Sequence, residues 1–250
     1  QVTDADNTAS EITYTLTKVP ENGTLRLNGT QLAVDDTLTQ DDIDNDQLEY
    51  VHNGSETTSD NFSFKVTDGE DGNINNTDFQ ITVNPVNDTP TLENAIANQK
   101  ATEDSDFSFT IPANTFNDVD TGDELTYSAT LEDDSALPDW LTFSPETLTF
   151  SGTPTNNNVG SLNIKVTATD KAGANVTDTF TLEIENVNDT PTVANQIGDT
   201  TTNEDSNFSF TIPENTFSDV DSGDELTYSA TLEDGSPLPD WLTFNQETRT

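Results

Sequence analysis

The sequence has no cysteine, no methionine and a single histidine, His52. Those absences exclude a disulfide scaffold, thiolate chemistry and zinc held by Cys, and they leave no set of histidines for catalysis or for a multi-His metal site. Positive charge is nearly as scarce. Seven Lys and Arg stand against 48 Asp and Glu, a net charge of −41 over 250 residues. Phosphate binding needs clustered Lys and Arg, so nucleic acid is excluded as a partner, and an anionic membrane surface is disfavoured. No apolar run approaches the ~18 residues of a spanning helix, so no direct membrane insertion is expected within this window. What the chain has in abundance is side-chain oxygen.

High net charge with only 30% hydrophobic residues is the composition of a disordered chain. The pattern of the apolar residues argues for order instead. Phe107, Phe109 and Ile111 are spaced by two, as are Leu125, Tyr127, Ala129 and Leu131. Leu162, Ile164, Val166 and Ala168 follow the same rule, and so do Phe180, Leu182 and Ile184. Thr, Ser, Asn, Asp and Glu fill most positions between them. Period two with a polar opposite face is the signature of a half-buried antiparallel strand. No segment shows a convincing 3.6 period, so an all-β fold is expected.

An internal repeat sets the organisation. Asn87-Asp88-Thr89-Pro90 recurs as Asn188-Asp189-Thr190-Pro191, and the same offset of 101 carries Trp140 to Trp241. Residues 116–143 match 217–244 with four differences and no gap. A whole-domain offset of this size means tandem domains, since solenoid units are much shorter. Six or seven short strands in ~100 residues are what an immunoglobulin-like β-sandwich uses. The first segment is built to the same plan, with strands expected at Ile12–Leu16, Leu25–Leu27, Leu32–Val34, Leu48–Tyr50, Phe62–Val66 and Phe79–Val83. Asn22-Gly23 and Asn28-Gly29 supply hairpin turns. The expected domains are 1–87, 88–188 and 189–250, arranged end to end by short linkers. The first reads as truncated at its N-terminus and the third at its C-terminus, with an unpaired strand edge in the third.

The acidic residues recur at fixed places. Asp118-Val119-Asp120 precedes the strand from Leu125, and Asp219-Val220-Asp221 and Asp4-Ala5-Asp6 repeat it. In an extended segment residues i and i+2 point to one side, so each pair of carboxylates is expected to converge. Asp170, followed by Gly173, and Asp68, followed by Gly69, lie in the loop before the last strand of their domains. Linker residues Asn87 and Asp88 are expected at the same end. Such a loose, all-oxygen cluster suits Ca²⁺, which takes 6–8 oxygens, better than Mg²⁺ or Zn²⁺.

This series of a Glu, a DxD pair, a late-loop Asp and an NDxP linker resembles a cadherin repeat. Glu103, fifteen residues after Asp88, and Asp120, 32 after it, fall near cadherin spacings. The segments with PDWLTF at 138–143 and TFSGTP at 149–154 resemble dystroglycan-type cadherin-like domains of bacterial surface proteins. The first segment, with ENGTLRLNG and the NDTP end, is similar to the cadherin-like repeat of chondroitin sulphate proteoglycan core proteins. The resemblance implies Ca²⁺ as cofactor, held at one junction by Asn87, Asp88, Asp118, Asp120 and Asp170. It implies a second site from Glu103, Asn188, Asp189, Asp219 and Asp221, and it assigns Asp4, Asp6 and Asp68 to a further junction. The linker is a residue shorter than in cadherins and the mid-domain LDRE-type motif is absent, so fewer ligands and weaker binding follow.

The function implied is a non-enzymatic, calcium-binding extracellular or cell-surface adhesion and spacer module within a larger secreted or membrane-anchored protein. Its partners would be the other cadherin-like repeats of the chain, with homophilic or glycan contacts. The competing expectation is a carbohydrate- or proteoglycan-binding module appended to a secreted enzyme, with Trp140 and Trp241 as stacking platforms. As residues, the two tryptophans read more readily as core anchors of the sandwich. Asp42-Ile43-Asp44-Asn45-Asp46 imitates the start of an EF-hand loop, but Gln47 and Asn53 stand where Gly and Glu are required. It reads as solvated surface, and His52 as a strand or turn residue.

Overall fold

The alternation seen in the sequence is carried through as strands. The computed structural model describes residues 2–250. The chain divides into two compact units. One comprises the residues up to Pro90 with Asp118–Leu125 and Asp170–Ala174. The other comprises Thr91–Asn117, Thr126–Thr169 and Asn175–Thr250.

In the first unit the strands are β1 (Thr13–Lys18), β2 (Gly23–Leu27), β3 (Thr30–Gln31), β4 (Thr37–Thr39), β5 (Leu48–His52), β6 (Ser59–Thr67) and β7 (Asn73–Thr82), with one short helix, α1 (Gln40–Asp44). They form a sheet in the order β4-β1-β6-β7 and a second in the order β3-β2-β5. Tyr14, Leu16, Phe62 and Val66 of the first sheet and Leu25 of the second are buried in one cluster with Ile12, Leu32 and Leu38. Each such side chain contributes roughly 1.5–3 kcal/mol by leaving water.

One local expectation holds and two change. Asn28-Gly29 does close a hairpin, joining β2 to β3 with Leu27 opposite Thr30. Both residues have positive φ, 51° and 79°, as a type I′ turn requires. Asn22-Gly23 closes none, because β1 pairs with β4 and β6 whereas β2 pairs with β3 and β5. The chain there crosses from one sheet to the other, held by the buried carboxylate of Asp60, which accepts from the amides of Glu21 (3.0 Å) and Asn22 (2.8 Å). Leu32 and Val34 lie beyond the end of β3. Leu32 is buried and Val34 exposed, because Asp35 turns the chain with φ 72° and Asp36 accepts from the amide of Ala33.

The run from Asp41 to Asp46 is not only solvated surface. Thr39 caps a helix at its start, accepting from the amide of Asp42 while Asp42 accepts from the amide of Thr39. Buried Gln40 then accepts from the hydroxyl of Tyr14 and donates to Asp44. Five residues are too few for a 3.6 period to register.

In the second unit the strands are β8 (Thr91–Leu92), β9 (Gln99–Thr102), β10 (Phe107–Thr110), β11 (Phe116–Asn117), β12 (Thr126–Leu131), β13 (Leu141–Ser144), β14 (Thr149–Gly152), β15 (Gly160–Thr169), β16 (Asn175–Glu185), β17 (Thr192–Val193) and β18 (Phe217–Ser218). A four-stranded sheet in the order β12-β15-β16-β9 accompanies a three-stranded one, β10-β14-β13. Phe150, Ile164, Phe180 and Leu182 are fully buried, and the ring of Phe150 meets that of Phe180 edge to face.

Neither tryptophan anchors this core, contrary to expectation. Trp140 is half-buried and Trp241 is 73% exposed. Residues 217–244 repeat 116–143 almost unchanged, yet of these only Phe217–Ser218 forms a strand. The partner of β12 is β15, and Gly160–Thr169 has no counterpart 101 positions later within these 250 residues. Strand formation here depends on a cross-strand partner more than on local sequence.

Candidate cation site

Asp118, Val119 and Asp120 follow β11. The amide of Asp120 donates to Asp118 Oδ1 at 2.8 Å. Asp118 and Asp120 fall in different carboxylate trios, whereas Asp219 and Asp221, joined by the same amide hydrogen bond (3.0 Å), converge in one. Asp118 joins Asp123 and Asp170, with one carboxylate oxygen of each within 4.8 Å of the others. Asp120 joins Asp88 and Glu56 on the same criterion. All six belong to the first unit.

Backbone and amide groups fix these carboxylates in place. Asp120 Oδ2 accepts from the amide of Asp88 (2.8 Å) and Asp170 Oδ2 from the side-chain amide of Asn87 (2.9 Å). Asp170 Oδ1 accepts from the amide of Ala174 at 2.8 Å. Asn87 lies in the linker, so its donation ties linker to loop. That hydrogen bond is the main reason the Asp170 carboxyl is held below the usual range, with the loop amides adding to it. Glu56 is shifted the other way. Burial pushes it up, and the neighbouring Asp120, Asp88 and Asp118 add to the effect. Asp118 Oδ2 is buried with no hydrogen-bond partner. A desolvated, unpaired carboxylate oxygen is costly, and unit charges ~4 Å apart repel by about 1 kcal/mol even in bulk water. Lys171 offers partial relief, reaching Asp123 at 3.8 Å and donating to the carbonyl of Gly122.

In the second unit Asp219, Asp221 and Asp224 form a trio with the same 4.8 Å criterion. Asp221 is buried and accepts from the amide of Asp189 (2.6 Å) and the side chain of Asn156 (3.0 Å). The Asp189 amide is the leading cause of its lowered carboxyl pKa. Glu103 is 1% exposed. Its Oε1 accepts from the amide of Val187 at 2.6 Å, and its Oε2 has no partner. Glu103 thus holds the segment that follows β16 into the linker and is not one of the trio. Asn188 donates to the carbonyl of Asp189, and Asp189 meets Asp221 through its backbone.

The remaining candidates are more loosely arranged. Asp4 Oδ1 accepts from the amide of Asp6 at 3.1 Å. The two carboxyls also share a hydrogen bond, which lowers Asp4 and raises Asp6. Asp68 clasps its own turn, accepting from Glu70 (2.8 Å) and Gly72 (3.1 Å). Among the described residues these three do not form a trio.

Two kinds of residue escaped sequence reasoning. Asp123 and Asp224 stand three after the second Asp of each DxD pair, so the repeat DVDxGDE carried the signal. Glu56 lies in the loop between β5 and β6, and nothing in its neighbourhood marks it.

Every candidate ligand is oxygen, the sites hold three carboxylates each, and at one of them the buried Oδ2 of Asp118 lacks a partner. That donor set fits a hard divalent cation held by carboxylates and carbonyls. A family model described as a putative Ig domain matches residues 89–185 and 190–250. The chain belongs to the putative Ig-domain family. Residues 1–83 of this Ig-family chain match a model described as cadherin-like, and the chain carries cadherin-like repeats. It is 41% identical over 68 residues to "Extracellular matrix protein 3" of Lytechinus variegatus, a stretch covering 27% of this chain and 2% of the relative. It is 39% identical over 69 residues to human "FRAS1-related extracellular matrix protein 1", covering 28% and 3%. The chain therefore spans only 2–3% of the length of these relatives. A solved structure of the extracellular cadherin domains 1–5 of protocadherin gamma B2 aligns over 84% of this chain and 40% of its own, with a TM-score of 0.52 and 20% identity. At that identity the likeness shows the fold, an all-β array of immunoglobulin- and cadherin-like sandwiches.

Proposed function

We propose that this chain is a non-enzymatic adhesion and spacer module of an extracellular protein, whose linkers Asn87-Asp88 and Asn188-Asp189 are stiffened by Ca²⁺. It acts outside the cell, as do the matrix proteins it is similar to by name. The observation that carries the calcium reading is the unpartnered, buried Oδ2 of Asp118 within the trio Asp118, Asp123 and Asp170. A cation there would satisfy that oxygen and cancel repulsion among the three carboxylates. Asp88, Asp120 and Glu56 would serve a neighbouring position, and Asp219, Asp221 and Asp224 the second linker. We divide the chain on this reading into repeats at 1–87, 88–188 and 189–250.

The ion itself supplies only charge and coordination. The protein supplies position: Asn87 orients Asp170, the Asp88 amide orients Asp120, and the Asp189 amide orients Asp221. With loops and linker bound to one ion, bending of the linker would require breaking coordination. Few formal ligands place the affinity near that of extracellular calcium modules, roughly 10⁻⁴–10⁻³ M.

Glu56 tests the assignment, because it comes from a loop outside the repeated motif. Glu56→Gln keeps the shape and removes one charge. Calcium titration followed by intrinsic fluorescence is expected to give about tenfold weaker binding at one site, with the fold of the apo protein unchanged. Equal affinity in both proteins would remove Glu56 from the site. No calcium response in either would defeat the calcium reading altogether.

A further inference from the structure

We infer that Asn156 stands in for a cation at the second linker, so that this linker is held by hydrogen bonds before Ca²⁺ arrives, whereas the first leaves that role to the ion. For the first linker this rests on the calcium reading above; for the second it rests on contacts within the protein alone. Asp88 and Asp120 stand 101 positions before Asp189 and Asp221. In both linkers the backbone amide donates to the second Asp of the DxD pair, at 2.8 Å to Asp120 Oδ2 and at 2.6 Å to Asp221 Oδ2.

The third group at that Asp differs. In each case it comes from the loop that leads into the first strand of the long hairpin, β6–β7 or β15–β16. Ahead of β6 the loop supplies Glu56, a further carboxylate within 4.8 Å of those of Asp88 and Asp120. Ahead of β15 it supplies Asn156, whose Nδ2 donates to Asp221 Oδ1 at 3.0 Å. A carboxylate only accepts, so it is the NH₂ of the amide that faces Asp221. The loop is built to present this side chain. Asn156 begins a turn of 3-10 helix, Asn156–Asn158. Asn158 locks that turn, its Oδ1 accepting from the amide (2.9 Å) and the hydroxyl (3.0 Å) of Thr155.

The difference is one of charge compensation. Asp221 is 6% exposed, and a buried carboxylate is costly unless donors replace its water. Asn156 and Asp189 give one N–H to each of its oxygens, and the side chain of Asn186 further favours its charged form. Hydrogen bonds to a charged acceptor are about twice as strong as neutral ones. At Asp120 the equivalent loop brings repulsion instead, which only a cation or a proton relieves. A cation that takes Asp221 Oδ1 has to displace the Asn156 amide, so Ca²⁺ adds to a linker already held.

The test uses the 250-residue chain, read by hydrogen exchange with mass spectrometry over residues 86–92 and 187–193. In EDTA, Asn156→Ala is expected to speed exchange at 187–193 by about tenfold, with β15 and β16 unchanged. Asn156→Asp, which keeps the shape, should do the same in EDTA and be restored by Ca²⁺. Glu56→Gln, which gives the first linker an amide in place of a carboxylate, should slow exchange at 86–92 in EDTA. Parent-like exchange at 187–193 in both Asn156 variants would overturn the proposal. So would weaker Ca²⁺ binding at the second site in Asn156→Ala, meaning that this side chain is a ligand and not a substitute for the ion. If Ca²⁺ changes neither linker of the parent, the calcium reading fails, and the exchange of Asn156→Ala in EDTA still decides whether Asn156 holds the second linker.

Discussion

Replacing Asp60 with alanine is expected to destabilise the first unit by about 3 kcal/mol, because four donors lose one shared, buried, charged acceptor. Asp60 is 4% exposed. Its Oδ1 accepts from the amides of Glu21 (3.0 Å) and Asn61 (2.8 Å), and its Oδ2 from the amide of Asn22 (2.8 Å) and the hydroxyl of Tyr50 (3.0 Å). Burial alone would raise this carboxyl. The three amides and the phenol outweigh it and hold the group below the usual range. A depressed folded pKa contributes stability above the unfolded value of about 4, and that stability is lost as pH falls through the folded value. Tyr50 behaves in the opposite sense. Burial, with Asp60 second, pushes its phenol up to about 12, so its contribution is present below pH ~10 and lost as pH rises toward 12. Hydrogen exchange in β1 and β6 of Asp60→Ala against the parent is the direct measurement. A loss under about 1 kcal/mol would mean that water replaces the carboxylate at this crossing.

Gly152→Ala is the second large effect, expected to cost the second unit about 3 kcal/mol. Gly152 ends β14, opposite Phe107 on one side and Leu141 on the other. A Cβ built there would lie 1.8 Å from the carbonyl oxygen of Trp140 and 3.2 Å from the Cα of Leu141. Both are backbone atoms and cannot swing aside, so the β13–β14 pair has to part. Trp140 sits at the point of strain, and a red-shifted emission with a lower urea midpoint is the expected result. An unchanged midpoint would show that the two strands separate at little cost. Trp241 serves as the internal reference, being already exposed.

Much of the fold was legible because antiparallel strands announce themselves in period two. Leu162–Ala168 and Phe180–Ile184 lie in adjacent strands whose apolar residues are largely buried together, as their alternation requires. What the sequence could not carry were facts of tertiary placement. Asn22-Gly23 has the chemistry of a hairpin, but Asp60, 38 residues from Asn22, commits the chain to a sheet change instead. PDWLTF looked like a core motif because Trp is large and apolar. Phe150 and Phe180 fill that core, and Gly152 lies against the Trp140 backbone. At the candidate site, alternation placed Asp118 and Asp120 on one side. In the fold Asp118 and Asp120 sit in different trios, whereas Asp219 and Asp221 share one, although both pairs carry the same amide hydrogen bond. Glu56 carries no local signal, since only the folded path of the β5–β6 loop brings it to Asp88 and Asp120.

The net charge of −41 acquires a position through these contacts. Part of it is gathered in three trios of carboxylates, where each bound Ca²⁺ would remove two units of repulsion. Of the rest, Asp60 and Glu103 are buried, and others such as Asp133 and Asp134 are exposed surface.

The central claim is that calcium holds the linkers, and thermal unfolding of this 250-residue chain in Ca²⁺ and in EDTA tests it most directly. With free Ca²⁺ at about 100 times its dissociation constant, mass action adds about 2.7 kcal/mol per site. For a chain of this size that corresponds to a rise in Tm of roughly 5–10 °C, with a smaller rise in Mg²⁺. Superimposable melting curves in Ca²⁺ and EDTA would contradict the account.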